Sequence, residues 1–494
     1  MPVLVQRGRR IRSAVKERTG LHTVWLIMSL VILSPGCATF HPHPLVPSQT
    51  AVAFAHRTVD NPRLKSVLEM SLHHELAVWP PQEWTLEMLA VIALYYHPDL
   101  DVARMQAAAA EAGIKTAGGR PNPSVDFSPE AITNAAAGVS PWTLGFTFDV
   151  PIETAGKRGL RIARAKALTE AARLELAETT WRVRSRLRAA LLESLVAQRE
   201  LAVWRAEESL QSDTVTLMEQ RYAAGRVSLQ ELTAARAHLA QTTLVVRAAE
   251  GRLADRRIAV ATALGLPVTA LESMSCSWPQ LDAPPSTAML SSPAIQQAGL
   301  LNRLDIHRAL AEYAAAEAAL RLEIAKQYPD IHLGPGYTWD QGDHRFSFGL
   351  SITLPLLNQN QGPIAEAEVH RKEAAARFLA LQAQVIGELD QARARYAAAL
   401  RELTEADQTL IALRWRQAQL AQTGASGTTD PLVLTELLIQ RAVATRARLE
   451  TLQKVQAALG ALEDAIQRPL DASITSPDES AATPSTHARA GGTP

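Results

Sequence analysis

Pro98 to Phe127 reads PDLDVARMQAAAAEAGIKTAGGRPNPSVDF, and Arg303 to Leu333 reads RLDIHRALAEYAAAEAALRLEIAKQYPDIHL. The two stretches are one pattern written twice. Glu111 and Glu317 occupy a shared AAAEA core, Pro123 and Pro329 follow at the same distance, and both pairs are 206 positions apart. Further on, FDVPIETAGKRG around Pro151 matches ITLPLLNQNQG around Pro355 at an offset of 204. LQELTAAR around Glu231 matches VLTELLIQR around Glu436 at an offset of 205. Four matches in one order at nearly one offset mark an internal duplication.

Each copy predicts the same succession. An Ala-rich helix covers 84–119 and 302–327, and a Pro-bounded β-hairpin follows. A long helix then runs from Lys157 to Tyr222 and from Pro363 to Gln422. Gly225, and Gly424 to Gly427, mark turns, after which a last helix reaches Leu264 and Gln467. A helix of roughly 60–65 residues is about 90–100 Å long. No compact domain holds such a rod, so it belongs to a coiled-coil-like bundle or tunnel. Leu187, Leu191 and Leu195 form its apolar stripe, and Arg182, Arg184, Arg186 and Arg188 read as a solvated face.

The bulk numbers agree. Of 494 residues, 47% are hydrophobic but only 5% aromatic, a mix suited to long helices packed by small side chains. Lys+Arg and Asp+Glu stand at 50 each, so no net field draws in nucleic acid. Two cysteines, Cys37 and Cys276, are too few for a disulfide framework. There is no Gly-rich phosphate loop, zinc signature or nucleophile motif, so neither an enzyme nor a cofactor is expected. His41 and His43 read as incidental, and His73, His74 and Glu75 as structural, so no metal site is expected.

The N-terminus reads as a targeting segment. Arg7, Arg9, Arg10, Arg12, Lys16 and Arg18 precede the apolar run VWLIMSLVIL from Val24 to Leu33. That run suits a secretory signal and is too short to span a bilayer. Ser34, Pro35, Gly36 and Cys37 then resemble a lipoprotein cleavage site, with Leu33 four residues before the cysteine. The expected boundaries are a signal peptide over 1–36, a lipid-anchored segment over 37–82 that begins extended, repeat one over 83–267, a linker over 268–301, repeat two over 302–470 and a disordered tail over 471–494.

The hairpins turn this architecture towards function. In HRFSFGLSITL from His344, Phe346, Phe348, Leu350, Ile352 and Leu354 share one face, and Ser347, Gly349, Ser351 and Thr353 the other. Trp142, Leu144, Phe146, Phe148 and Val150 repeat the pattern against Thr143, Gly145, Thr147 and Asp149. Ile331, Leu333, Tyr337 and Trp339 continue it in one partner strand, and Val125 and Phe127 in the other. The period is two, which makes strands with an apolar and a small polar face. Strands of about 9–11 residues suit a tilted bilayer crossing, apolar outward. Trp142, Tyr337 and Trp339 near strand ends suit an interfacial belt. Four strands cannot close a barrel, and lipid does not tolerate an open edge, so several chains must share one. Small inner residues imply a lumen, hence at least three chains.

Taken together, WTLEMLAVIALYYHPDLDVARMQAAAAEA, RPNPSVDF, FDVPIETAGKRGLRIARAKA, RYAAGRVSLQELTAAR, KQYPDIHLGPGY, SFGLSITLPLLNQNQGPIAEAEV and the closing RAVATRARLE–LGALEDA stretch resemble the TolC-like outer-membrane factors over roughly 83–468. The resemblance implies a mainly α protein with a small β part: a homotrimer with a twelve-stranded outer-membrane β-barrel continued by a periplasmic α-helical barrel. It implies a periplasmic adaptor and an inner-membrane resistance–nodulation–division pump as partners, and efflux as the function. The PNP hairpin with PIETAGKRG resembles the cobalt–zinc–cadmium branch, which implies heavy-metal cations as cargo, with organic solutes or type I secretion as the alternative. A coiled-coil scaffold lipoprotein without a pore is the competing class. In the family, helical turns meet the adaptor, which here singles out Tyr222, Gly225, Arg226, Ser228 and Leu229, with Gly424, Gly427, Leu432 and Leu434 in repeat two. Acidic rings close the family's aperture, which singles out Asp430 and Glu436; a further acid of the pattern is replaced by Ile439.

Overall fold

A computed structural model describes residues 39–286, 299, 301–424 and 430–470. Two compact units divide between Ala55 and His56. In the first, an irregular stretch leads to helix α1 (Pro47–Ala55). The leader was expected to be extended, yet its final residues are already helical, with Pro47 opening the helix where its missing N–H costs nothing. The signal peptide, Cys37, Gly427 and the tail after 470 lie outside the described residues.

The second unit is mainly helical. It opens with α2 (Pro62–Leu72), capped by Asn61. The helix expected over 84–119 is three elements: strand β1 (Trp84–Thr85), α3 (Leu86–Tyr96) and α4 (Pro98–Ala117). Pro98 causes the main break. It bars its predecessor from helical geometry, and His97 instead turns extended and caps α4 by accepting from the Asp99 N–H. A hairpin of β2 (Ser124–Ala131) and β3 (Trp142–Ile152) follows, then α5 (Lys157–Ala223) and α6 (Leu229–Leu264). Inside the expected linker, β4 (Cys276–Ser277) pairs in parallel with β1, setting Cys276 opposite Trp84. The order then runs α7 (Leu304–Ala325), β5 (Ile331–Asp340), β6 (Asp343–Ile352), α8 (Gln361–Gly424) and α9 (Pro431–Ile466).

The 67-residue α5 packs against α4, α6, α7 and α9, and the 64-residue α8 against α7 and α9. The main core sits midway along these rods. There Leu187, Leu191 and Val183 of α5 meet Leu64 and Leu68 of α2, Trp84, Leu89 and Ile92, and Leu452, Val455 and Leu462 of α9. Burial of such side chains contributes roughly 1.5–3 kcal/mol each. The arginine run was expected to be solvated throughout, but it enters this core. Arg188 is 4% exposed, donates to the Gln456 carbonyl, pairs with the buried Glu463 and lies over the Trp278 ring. A single sequence shows four arginines on one helix; it does not show that α9 and Trp278 close over the fourth.

The four longer strands form one antiparallel sheet in the order β2-β3-β5-β6. The hairpins are therefore joined through β3 and β5. Among the described residues, no strand pairs with the outer edges of β2 and β6. No described helix is long and apolar enough to cross a membrane.

Candidate functional site: an apolar sheet and a helical tip

The register aligns the apolar faces of both hairpins. Phe127 lies opposite Phe146, Phe146 opposite Tyr337, and Tyr337 opposite Phe346, so one aromatic row crosses all four strands. Ile152, Ile331 and Ile352 form a second row at the helix end of the sheet. Every residue of β6 is exposed, Phe346 at 83% and Phe348 at 74%. Trp142, Phe146, Phe148, Leu350 and Ile352 are exposed too, while Leu144 is half-buried. In water such a patch would be costly, and large exposed apolar patches mark contact with a membrane or another protein. The opposite face carries Ser128, Thr143, Thr147, Thr338, Ser347 and Ser351, with Gly145, Gly336 and Gly349 between them. Trp142, opposite Ala131, and Trp339, opposite Leu144, both stand near the end remote from the helices.

The motif PIETAGK explains itself where β3 becomes α5. Ala155 and Gly156 both take positive φ (52° and 69°), which turns the strand sharply into the helix. Lys157, buried at the first turn, donates to the Tyr328 carbonyl at 2.6 Å and to Asp330 at 2.8 Å. Asp330 also accepts from the Thr154 N–H at 2.9 Å. Burial would raise the Asp330 carboxyl, but Lys157 and the Thr154 N–H outweigh it and hold the group below the usual range. Thus the QYPD segment of the second copy clamps the strand–helix joint of the first.

At the other end of the rods, α5 stops at Gly225, whose φ of 69° admits the tight reversal. Ser228 then opens α6 with a capping box. Its hydroxyl accepts from the Glu231 N–H, and Glu231 accepts from the Ser228 N–H at 2.6 Å. Tyr222 and Leu229 stand exposed here, as do Gly225, Arg226 and Ser228. On the second side α8 ends at Gly424, and Asp430 caps α9 by accepting from the Leu432 N–H at 2.9 Å. Asp430 also pairs with Arg221 of α5 at 2.5 Å, which ties one tip to the other. That Arg221 bond, with the Leu432 N–H, holds the Asp430 carboxyl below its ordinary value.

Glu436 is exposed, accepts from Gln440 at 3.2 Å and lines a cleft of about 840 Å³. Glu231, His238 and Leu432 line the same cleft. Beside the expected Asp430 and Glu436 stand two residues that were not expected, Arg221 and Glu231. For Glu231 the signal was present in its match to Glu436. For Arg221 there was none, because its partner lies 209 positions away. Among the described residues, no group of three or more His, Cys, Asp or Glu could hold a metal.

Residues 89–266 match the model of the family described as outer membrane efflux protein. The cobalt-zinc-cadmium resistance protein CzcC of Cupriavidus metallidurans is 26% identical over 60% of this chain and 69% of its own. The outer membrane protein VceC of Vibrio cholerae superposes with a TM-score of 0.62 at 20% identity, covering 78% of this chain and 97% of that one. The outer-membrane channel OprN gives 0.62 at 20% identity, over 88% of this chain and 98% of that one. The fold, with its exposed apolar sheet on paired long helices, is that of a TolC-like outer-membrane channel. Over residues 89–266 the chain is similar to the outer membrane efflux protein family.

Proposed function

We propose that the chain is the outer-membrane duct of a tripartite efflux system and works as a homotrimer. Three four-stranded sheets make a twelve-stranded barrel, and the long helices continue it as a periplasmic tunnel. The observation that carries this reading is the exposed apolar face of a sheet with two open edges. Lipid covers such a face, but it leaves unpaired N–H and C=O groups at several kcal/mol each, so the edges must pair between copies. A scaffold without a pore has no use for strands of this length and alternation. The purified trimer is expected to conduct ions across a planar bilayer. Material that stays monomeric in detergent, or trimers that pass no current, would refute the proposal.

The finer assignments follow from it. Residues 1–36 are removed as a signal peptide and Cys37 carries lipid, which labelled palmitate incorporation, lost in Cys37→Ser, would report. Residues 83–267 and 302–470 are the two repeats, 268–301 the linker and 471–494 the tail. The tip residues Tyr222, Gly225, Arg226, Ser228, Leu229, Gly424 and Gly427 meet a periplasmic adaptor, which links the duct to an inner-membrane resistance–nodulation–division pump. The cargo is heavy-metal cations, supported by the likeness to CzcC. Loss of the gene would then sensitise cells to cobalt, zinc or cadmium more than to organic dyes; the reverse order would favour organic solutes.

Asp430 and Glu436 form the aperture. Three copies of Glu436 near one axis would attract cations. Glu436→Ala is therefore expected to weaken block of single-channel current by divalent cations several-fold, and unchanged block would remove Glu436 from the aperture. Asp430 should respond to pH. Its folded-state pKa is depressed, so the Arg221 bridge is present above the ordinary aspartate value and is lost as pH falls through the depressed one. Conductance should rise on acidification in that window. Arg221→Gln should already show the raised conductance at neutral pH and lack the step.

A further inference from the structure

The internal joint between the two hairpins prescribes how one copy of this chain pairs with the next. The two copies of the sequence are offset by 206 at Pro123/Pro329 and by 204 at Pro151/Pro355. Applied to strands, these offsets carry Phe127 onto Leu333 and Phe146 onto Leu350. Phe127 pairs with Phe146, and Leu333 pairs with Leu350. Val125 and Phe148 move in the same way onto Ile331 and Ile352, which also pair. Pro129 of β2 likewise falls on Pro335 of β5. So β5 stands in the place of β2, and β6 in the place of β3, residue for residue.

Within the chain, β3 also pairs with β5, setting Val150 opposite Leu333, Thr147 opposite Gly336, and Ile152 opposite Ile331. The counterpart of that joint is β6 against a β2, and the chain's own β2 lies on the far edge of the sheet. We infer that the outer edge of β6 pairs with β2 of a second copy of this chain in one definite register: Leu354 opposite the neighbour's Phe127, Ser351 opposite its Glu130, and Leu356 opposite its Val125.

Two further observations favour this occupant. The apolar alternation does not stop where β6 ends at Ile352; it continues through Leu354 and Leu356, which are 68% and 79% exposed and have no cross-strand partner among the described residues, the Leu356 N–H donating to the Leu354 carbonyl in the single chain. The counterparts of these residues in β3, Val150 and Ile152, are paired with β5. The inferred partners Val125 and Phe127 are themselves more than half exposed. Leu354 and Leu356 lie just beyond β6 in the single chain, and the inferred pairing extends the strand through them once the neighbour supplies a ladder partner. Following the aromatic row from Phe127 to Phe346, the next copy's Phe127 lies opposite Leu354, eight positions along. An even step keeps every residue on its own face, as closure in lipid requires.

The inference rests on the trimeric duct proposed above, and disulfide trapping separates the two. The full chain would carry Cys276→Ser with Leu354→Cys and Phe127→Cys, or with Ser351→Cys and Glu130→Cys. In either pair the two positions lie on opposite outer strands of one sheet, about 14 Å apart at 4.7–4.9 Å per strand, so a disulfide can form only between copies. Mild oxidation in native outer membranes is expected to give covalent dimers and trimers with at least one of these pairs. The slipped pair Leu354→Cys with Pro129→Cys should form them at least tenfold more slowly. Trimers in which the slipped pair forms faster, or in which none of the pairs forms, overturn the register and leave the duct standing. A wild-type protein that is monomeric in the membrane overturns both.

Discussion

Phe346→Arg is expected to abolish assembly in the outer membrane. Phe346 ends the aromatic row on the edge strand β6 and is the most exposed phenylalanine of the sheet at 83%. In the trimeric barrel proposed above, an arginine on the lipid face would cost up to about 2–4 kcal/mol, and each trimer would carry three of them. In that proposed barrel the penalty would fall on assembly, because the side chain is open to solvent in the single chain and would meet hydrocarbon only after closure. Heat-resistant trimers in outer-membrane fractions should drop more than tenfold. Ser347→Arg, one residue on but facing the polar side, should still assemble and instead reduce single-channel conductance. Equal trimer yield for Phe346→Arg and wild type would mean that this face does not touch lipid.

The second large effect is expected from Arg188→Ala. Arg188 sits between Glu463, which is 2% exposed, the Gln456 carbonyl and the Trp278 ring at 4.9 Å. Gly460 makes the space, since a Cβ there would lie 2.4 Å from an Arg188 nitrogen. Removing the guanidinium leaves the buried Glu463 carboxylate with one cationic partner, Arg184 at 3.3 Å, beside the Leu470 N–H at 3.0 Å. Breaking a buried pair from one side costs about 3–5 kcal/mol. The helical melting temperature in detergent should fall on the order of 5–10 °C. Arg182→Ala, from the same run but on the exposed side, should stay within about 0.5 kcal/mol of wild type. Similar melting of the two variants would show that Arg188 is as solvated as its neighbours.

That contrast marks the boundary between what the chain announces and what it conceals. The long helices were legible because their signals are local: Gly156 and Gly225 bracket α5, and Ser228 with Glu231 spells the capping box that opens α6. The strand faces were legible because a period of two repeats within ten residues. The two hairpins were legible as well, as Pro-bounded strand pairs.

Other features belong to the tertiary structure. Local signals were read too generously at 84–119, where Pro98 outweighed the alanine-rich context. The joining of the two hairpins through β3 and β5, the pairing of Trp84 with Cys276, the burial of Arg188 and the bridge from Arg221 to Asp430 bring together residues separated by roughly 190 to 280 positions. Periodicity and capping are set within a turn or a strand, so the sequence alone determined the elements and which faces they present. Which charge meets which, and which strand lies beside which, depends on how two rods of more than sixty residues pack along their length. That choice is made by the summed burial of many small side chains, and only the folded chain displays it.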